Sequence, residues 1–154
     1  MKIEIKELET LERIYIVFGK EGIPTNIRSD VRVPKSGIYF LYDFNDELVY
    51  IGQSKHLASR ITQHVKKKNL RAFDPTQNDD DFYNIHNTSK IPRGIIKSFS
   101  AIGVDEPLEL NMYESIYINL YKPMINLMTA REAHNHYLYL KINTATKPQT
   151  RRNR

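Results

Sequence analysis

A chain of 154 residues with 23 basic and 18 acidic side chains, formally +5, is long enough for one domain with its own core and too short for two ordinary ones. It contains no cysteine, which excludes a disulfide framework and a thiolate zinc site and leaves any metal to oxygen or imidazole ligands. The amino terminus alternates charge with apolar residues, no long apolar run follows it, and we expect a cytoplasmic (intracellular) protein with no signal peptide or membrane span.

Residues 2–6 alternate as a short strand would, and Thr10 is placed to cap a helix carrying Leu11, Ile14, Val17 and Phe18 that ends near Gly19 or Gly22. Residues 1–34 therefore read as an amino-terminal extension outside the core, with Pro24 and Pro34 bracketing an irregular stretch. From Gly37 the pattern predicts a hairpin. Gly37-Ile38-Tyr39 opens one strand, Tyr50-Ile51-Gly52 closes the next, and Phe44-Asn45-Asp46-Glu47 between them has turn chemistry. Ser54 reads as the cap of a helix with Leu57, Ile61, His64 and Val65 at helical spacing, running to about Lys68.

An exposed loop is expected over 71–81, and Phe82–His86 has the composition of a third strand. Ile91–Ile102 is expected to form a second helix stopped by Gly103. Pro107 sits near the first turn of a third, carrying Leu108, Leu110, Met112, Ile116, Tyr117 and Leu120 and ended by Pro123. Ile125-Asn126-Leu127 follows that turn. Residues 129–154 read as a carboxy-terminal strand, His136–Ile142, and a basic tail. There are no internal repeats.

The charge is unevenly distributed. Residues 35–73 hold seven basic and three acidic side chains and 144–154 hold four and none, whereas 74–143 hold six and nine. Positive charge thus gathers on the segment with the tyrosines and on the tail, which suits a polyanion better than an acidic protein; for the tail alone, a frayed basic terminus is the simpler reading.

Arg60 and His64 are four apart on an expected helix and share one face, which looks back toward Tyr39 and Tyr50. Glu114 falls within the third helix, where an acid at the edge of the core needs a partner, and Asn126 follows the Lys122-Pro123 turn with a short side chain able to reach back. Singly, each has an ordinary explanation. The tyrosines can be core aromatics, Arg60 a surface residue, Glu114 an exposed helix residue, and Lys66-Lys67-Lys68 a solvated helix end.

In this order and spacing, Gly37-Ile38-Tyr39, Tyr50-Ile51-Gly52, Arg60, His64, Glu114 and Asn126 together resemble the GIY-YIG nuclease family, over a catalytic domain taken as 35–128. The resemblance implies a mixed α/β (α+β) domain whose small central antiparallel sheet contains the hairpin and is flanked by helices. It also implies a metal-dependent DNA endonuclease. Glu114 would hold one divalent cation, Mg²⁺ or Mn²⁺, with water and phosphate oxygens. Arg60 would clamp the phosphate and Tyr39 would be the general base, Tyr50 would orient phosphate or water, and Asn126 would position the site. A free tyrosine has a pKa of about 10, so ionisation at pH 7 asks for a downward shift, for which Arg60, the metal and Lys55 are the available cations.

His64 is expected either to take the Tyr39 proton or to act as the base itself. Some family members carry a lysine where this chain has Gln53, which leaves Lys55 as the substitute cation. Lys55, Arg60, Lys66, Lys67 and Lys68 are the expected nucleic-acid contacts, the substrate being double-stranded or branched DNA, cut to give 5′-phosphate and 3′-hydroxyl ends. The alternative is a catalytically silent nucleic-acid-binding module of the same fold. His134-Asn135-His136 and Asp79-Asp80-Asp81 with His86 are read as packing or solvated residues, not as second metal sites.

Overall fold

The computed structural model describes residues 3–20, 22–66 and 90–138. Four antiparallel strands form one sheet: β1 (Ile14–Tyr15), β2 (Gly37–Asp43), β3 (Leu48–Ser54) and β4 (Ile96–Gly103), in the spatial order β1-β4-β2-β3. Helix α1 (Leu57–Val65) covers one face, helix α2 (Pro107–Tyr121) covers the other, and residues 130–138 form a third helix, α3. This is the mixed α/β arrangement expected from the sequence.

β2 is the centre of the fold and is buried along its whole length. Its alternate side chains enter two separate cores, as the period of a strand requires. Ile38, Phe40 and Tyr42 pack with Leu110 and Tyr117 of α2, and the Phe40 and Tyr117 rings meet edge to face at 5.0 Å. Tyr39 and Leu41 pack with Leu57, Ile61 and Val65 of α1 and with Ala133 and Tyr137 of α3.

Gly37 is fixed by β4, because a Cβ there would overlap the Ile102 carbonyl oxygen. Asp43 closes the hairpin. Its Oδ1 accepts the Asn45 and Glu47 backbone N–H groups at 2.9 and 3.1 Å, and its Oδ2 accepts the Tyr137 hydroxyl at 2.9 Å. A buried carboxylate is thereby given three donors.

α1 differs from expectation at both ends: its N-cap is His56, without a side-chain cap bond, while Ser54 Oγ accepts the His56 N–H at 2.9 Å, and the helix stops at Val65, short of Lys68. Its last carbonyls are met by Arg93, whose Nη1 donates to the Gln63 oxygen at 2.8 Å. Pro107 sits in the first turn of α2, where a missing N–H costs nothing, and Lys122 closes that helix in the left-handed region at φ 47°. α3 is opened by a capping box: Glu132 N–H donates to Thr129 Oγ1 and Thr129 N–H to Glu132 Oε1.

Other expectations also fail. Ile91–Ile102 is not a helix: residues 96–103 are β4, a strand covered on both faces, so its apolar residues do not alternate cleanly. Residues 10–19 are not a helix either, since a 3-10 turn at Leu8–Thr10 leads into β1, which pairs Ile14 with Phe99, and residues 3–7 form no strand. Residues 1–34 are not wholly outside the core, because Ile14 and Ile27 belong to it and the Tyr117 hydroxyl holds the Lys6 backbone. Residues 136–138 are helical where a strand was expected. The loop expected over 71–81, the strand expected over 82–86, the remainder of 136–142 and the basic tail lie outside the described residues.

Tyr137→Phe removes one of the three donors to Asp43 and is expected to cost about 1–3 kcal/mol in urea unfolding. A loss below about 0.5 kcal/mol would mean the bond does not tie α3 to the hairpin.

Candidate active site

Tyr39 and Gly52 are directly opposite each other in the β2–β3 ladder. The phenol of Tyr39 lies across Gly52, so that a Cβ on Gly52 would overlap the hydroxyl and the ring. The glycine of the second motif is therefore a requirement set by the tyrosine of the first. Beyond Gly52 the Tyr39 hydroxyl reaches α1 and lies 2.8 Å from His64 Nε2. Tyr50 completes a ring cluster, its centroid 6.1 Å from Tyr39 and 5.5 Å from His64.

Burial governs how these groups ionise. Tyr39 is 2% exposed and its pKa is raised, first by loss of water, then by Tyr50 and Glu114, with only Arg60 acting downward. Tyr50 is raised for the same first reason, with the Glu114 charge next. His64, 4% exposed, is pushed down to about 3 by burial and then by the nearby Arg60 and Arg93 charges. At neutral pH the cluster is thus two phenols and a neutral imidazole. The lowered tyrosine expected from the sequence is reversed in the protein alone.

His64 Nδ1 is buried and has no hydrogen-bond partner among the described residues. Arg60 is exposed on α1, and its charge reaches Tyr39, Tyr50 and His64. Glu114 comes from the opposite face of the sheet. Ile38 and Gln53 are partners in the ladder, so Gln53 points to the α2 side, and its Nε2 donates to Glu114 Oε1 at 3.2 Å and to Asn111 Oδ1 at 2.6 Å. β3 is an edge strand, and the charge of Glu114 is felt across it at both tyrosines.

Asn126 seals that edge. Its Oδ1 accepts the Ile51 N–H and its Nδ2 donates to the Ile51 carbonyl, both at 2.8 Å, so one side chain replaces a neighbouring strand between Tyr50 and Gly52. Lys90 in turn holds the Asn126 segment, its Nζ donating to the Asn126 and Met128 carbonyls at 3.1 and 3.0 Å.

Tyr39, Tyr50, Arg60, His64 and Glu114 are therefore brought into one electrostatic neighbourhood, and Asn126 is spent on the backbone beneath it. Lys55 is exposed and Lys66 half-buried at the two ends of α1; Lys67 and Lys68 lie outside the described residues. His134 and His136 lie on α3. Sequence reasoning missed Asn111 and Lys90. Asn111 was findable, being three residues before Glu114 and so on the same side of its helix. Lys90 acts across 36 residues of chain and leaves no local signal.

The described residues hold no group of three or more His, Asp or Glu side chains able to enclose a metal. Glu114 nevertheless has the character of a single-carboxylate site: one oxygen is oriented by Gln53 and the other has no hydrogen-bond partner among the described residues. A hard ion that keeps most of its water and binds phosphate fits such a donor.

Similarity to known proteins is consistent with this geometry. The chain is 29% identical over 129 residues to UvrABC system protein C of Mycoplasma genitalium, covering 80% of this chain and 18% of that protein. It is 27% identical over 118 residues to UvrABC system protein C of Lactobacillus delbrueckii subsp. bulgaricus, covering 76% and 16%. It is 26% identical over 93 residues to the uncharacterized protein YurQ of Bacillus subtilis, covering 60% and 61%. The chain thus spans under a fifth of the length of the first two. The GIY-YIG catalytic domain model matches residues 35–128, from just before the tyrosine hairpin through the Asn126 segment, and the chain belongs to the GIY-YIG nuclease family.

Proposed function

We propose that this chain is an endonuclease that hydrolyses phosphodiester bonds of double-stranded or branched DNA, leaving 5′-phosphate and 3′-hydroxyl ends. The observation that carries the reading is the 2.8 Å contact between the Tyr39 hydroxyl and His64 Nε2, placed over Gly52 and within the fields of Arg60 and Glu114.

In this reading Tyr39 acts as a phenol with an outlet for its proton. The Tyr39 oxygen takes a proton from water while its own proton passes to His64 Nε2; the water oxygen bonds to phosphorus and the bond from phosphorus to O3′ breaks, the O3′ taking a proton from solvent. His64 suits the relay because its low pKa keeps Nε2 unprotonated before the reaction. The proton it gains is offset as the anionic phosphate arrives against Arg60, whose charge follows burial among the causes that hold His64 neutral. Arg60 supplies charge-assisted hydrogen bonds to the nonbridging oxygens, and Tyr50 orients phosphate or water.

Glu114, steadied by Gln53, would hold one Mg²⁺ or Mn²⁺. That ion, when bound, supplies positive charge against the phosphate and the departing oxygen. Asn126 positions the site through Ile51 and leaves the reacting atoms to others.

The burial of Tyr39 favours a second reading, a catalytically silent nucleic-acid-binding module. Plasmid nicking with and without Mg²⁺ separates the two. Wild type is expected to nick only with the metal, and Glu114→Ala to be at least about 100-fold slower. Equal cutting by both would end the site assignment, and binding without cutting by wild type would favour the silent module.

Tyr39→Phe is expected to lose about 10²–10⁴-fold in rate, as removal of a proton-transfer group does. Because His64 is already neutral well below pH 6.5, the rate between pH 5.5 and 8 is expected to show no inflection near pH 6.5. An inflection there that disappears in His64→Gln would make a freely titrating His64 the base.

A further inference from the structure

Sorting the cations by what they touch divides the surface. Arg13, Arg32 and Lys97 each lie within 4.0 Å of a carboxylate: Arg13 and Lys97 share Asp46, and Arg32 meets both Glu12 and Asp30. Those charges are spent inside the molecule. Arg28, Lys35, Lys55, Arg60 and Lys66 have no carboxylate that close among the described residues, and all are tied in sequence or by hydrogen bond to α1. Helix α1 carries no acid of its own.

Arg28 is the member that sequence spacing did not reveal. It is exposed, on the segment before β2, and its Nη1 donates to Ser59 Oγ at 3.1 Å. Its neighbour Ile27 is buried in the core with Leu57 and Ile61, which fixes the segment against the helix. Ser59 immediately precedes Arg60. The Lys35 carbonyl accepts the Leu57 N–H at 2.9 Å, which brings that residue's backbone to the start of the same helix.

A hydroxyl positions a guanidinium but does not neutralise it. Arg28 keeps its charge and most of its five donors for an outside anion. On a helical wheel Ser59 is about 100° from Arg60, so the Arg28 guanidinium bonded to Ser59 lies roughly a quarter turn around α1 from Arg60, a separation approaching one helix diameter, roughly 10 Å. DNA advances about 3.4 Å per nucleotide along its axis, so that distance corresponds to roughly three nucleotides.

We propose that Arg28, braced by Ser59, is a phosphate-binding residue that continues the Arg60 contact along the outer face of α1, so that the backbone of duplex DNA lies along this helix. Arg32 is the internal comparison: it sits on the same segment with its charge already satisfied by Asp30 and Glu12. This extension rests on the proposed function, since it assumes that DNA is the partner.

Binding of a fluorescein-labelled duplex is measured by polarisation across a KCl series, in a Glu114→Ala background so that no strand is cut. Arg28→Ala is expected to weaken binding about threefold to tenfold and to flatten the plot of log affinity against log salt by about 0.9, the change for one phosphate contact. Arg28→Lys is expected to restore the slope, because one positive charge is what the phosphate reads, and Arg32→Ala to leave it unchanged. An unchanged slope in Arg28→Ala, or an equal fall in Arg32→Ala, overturns the extension alone. Absence of duplex binding by the Glu114→Ala protein itself overturns both the extension and the proposed function.

Discussion

The phenol of Tyr39 lying across the bare backbone of Gly52 is the contact on which the site depends. It needs a strand pair in exact register, a residue without a Cβ on the second strand, and a helix set so that His64 meets the hydroxyl emerging on the far side. Each condition is met by a different element. β4 presses on Gly37 and fixes β2, Asn126 binds the outer edge of β3 at Ile51, and Arg93 closes the end of α1 that carries His64. A single aromatic contact thereby collects constraints from most of the described chain.

The same burial that makes this contact specific also sets its chemistry. Removing water raises both tyrosines and lowers His64, so the cluster rests uncharged between an exposed arginine and a half-buried glutamate. A neutral phenol beside a neutral imidazole leaves the resting site without a buried charge. Gln53 fits this arrangement. An amide orients the Glu114 carboxylate without placing a cation against it, and Asn111 fixes the amide in turn.

Much of this was legible in the sequence, for identifiable reasons. The hairpin, α1 and α2 announced themselves through glycines at close approaches, apolar residues three and four apart, and prolines at helix boundaries. β4 did not. Ile96, Phe99 and Ile102 repeat every third residue and imitate a helix, while Ser98 and Ser100 break the apolar alternation. Those serines are buried opposite Tyr42 and Phe40, where small side chains leave room for aromatic ones. β1 was hidden because its two residues acquire strand character only by pairing with β4. For α3 the signal was present and passed over: Thr129-Ala130-Arg131-Glu132 spells a capping box, and Ala130, Ala133 and Tyr137 follow it at helical spacing. The six candidate residues stand out by order and spacing, whereas the direction of the pKa shifts and the double use of the Asn126 amide required the packed structure.

The central claim is directional: the Tyr39 hydroxyl donates to His64 Nε2, which leaves its oxygen lone pairs for water. That claim fixes the ring tautomer, with the proton on Nδ1. Nitrogen-15 chemical shifts of the His64 ring at neutral pH read this directly. A proton-bearing Nδ1 and an unprotonated, hydrogen-bonded Nε2 are predicted; a proton on Nε2 would mean that His64 donates to Tyr39, and the relay would have no acceptor for the phenolic proton.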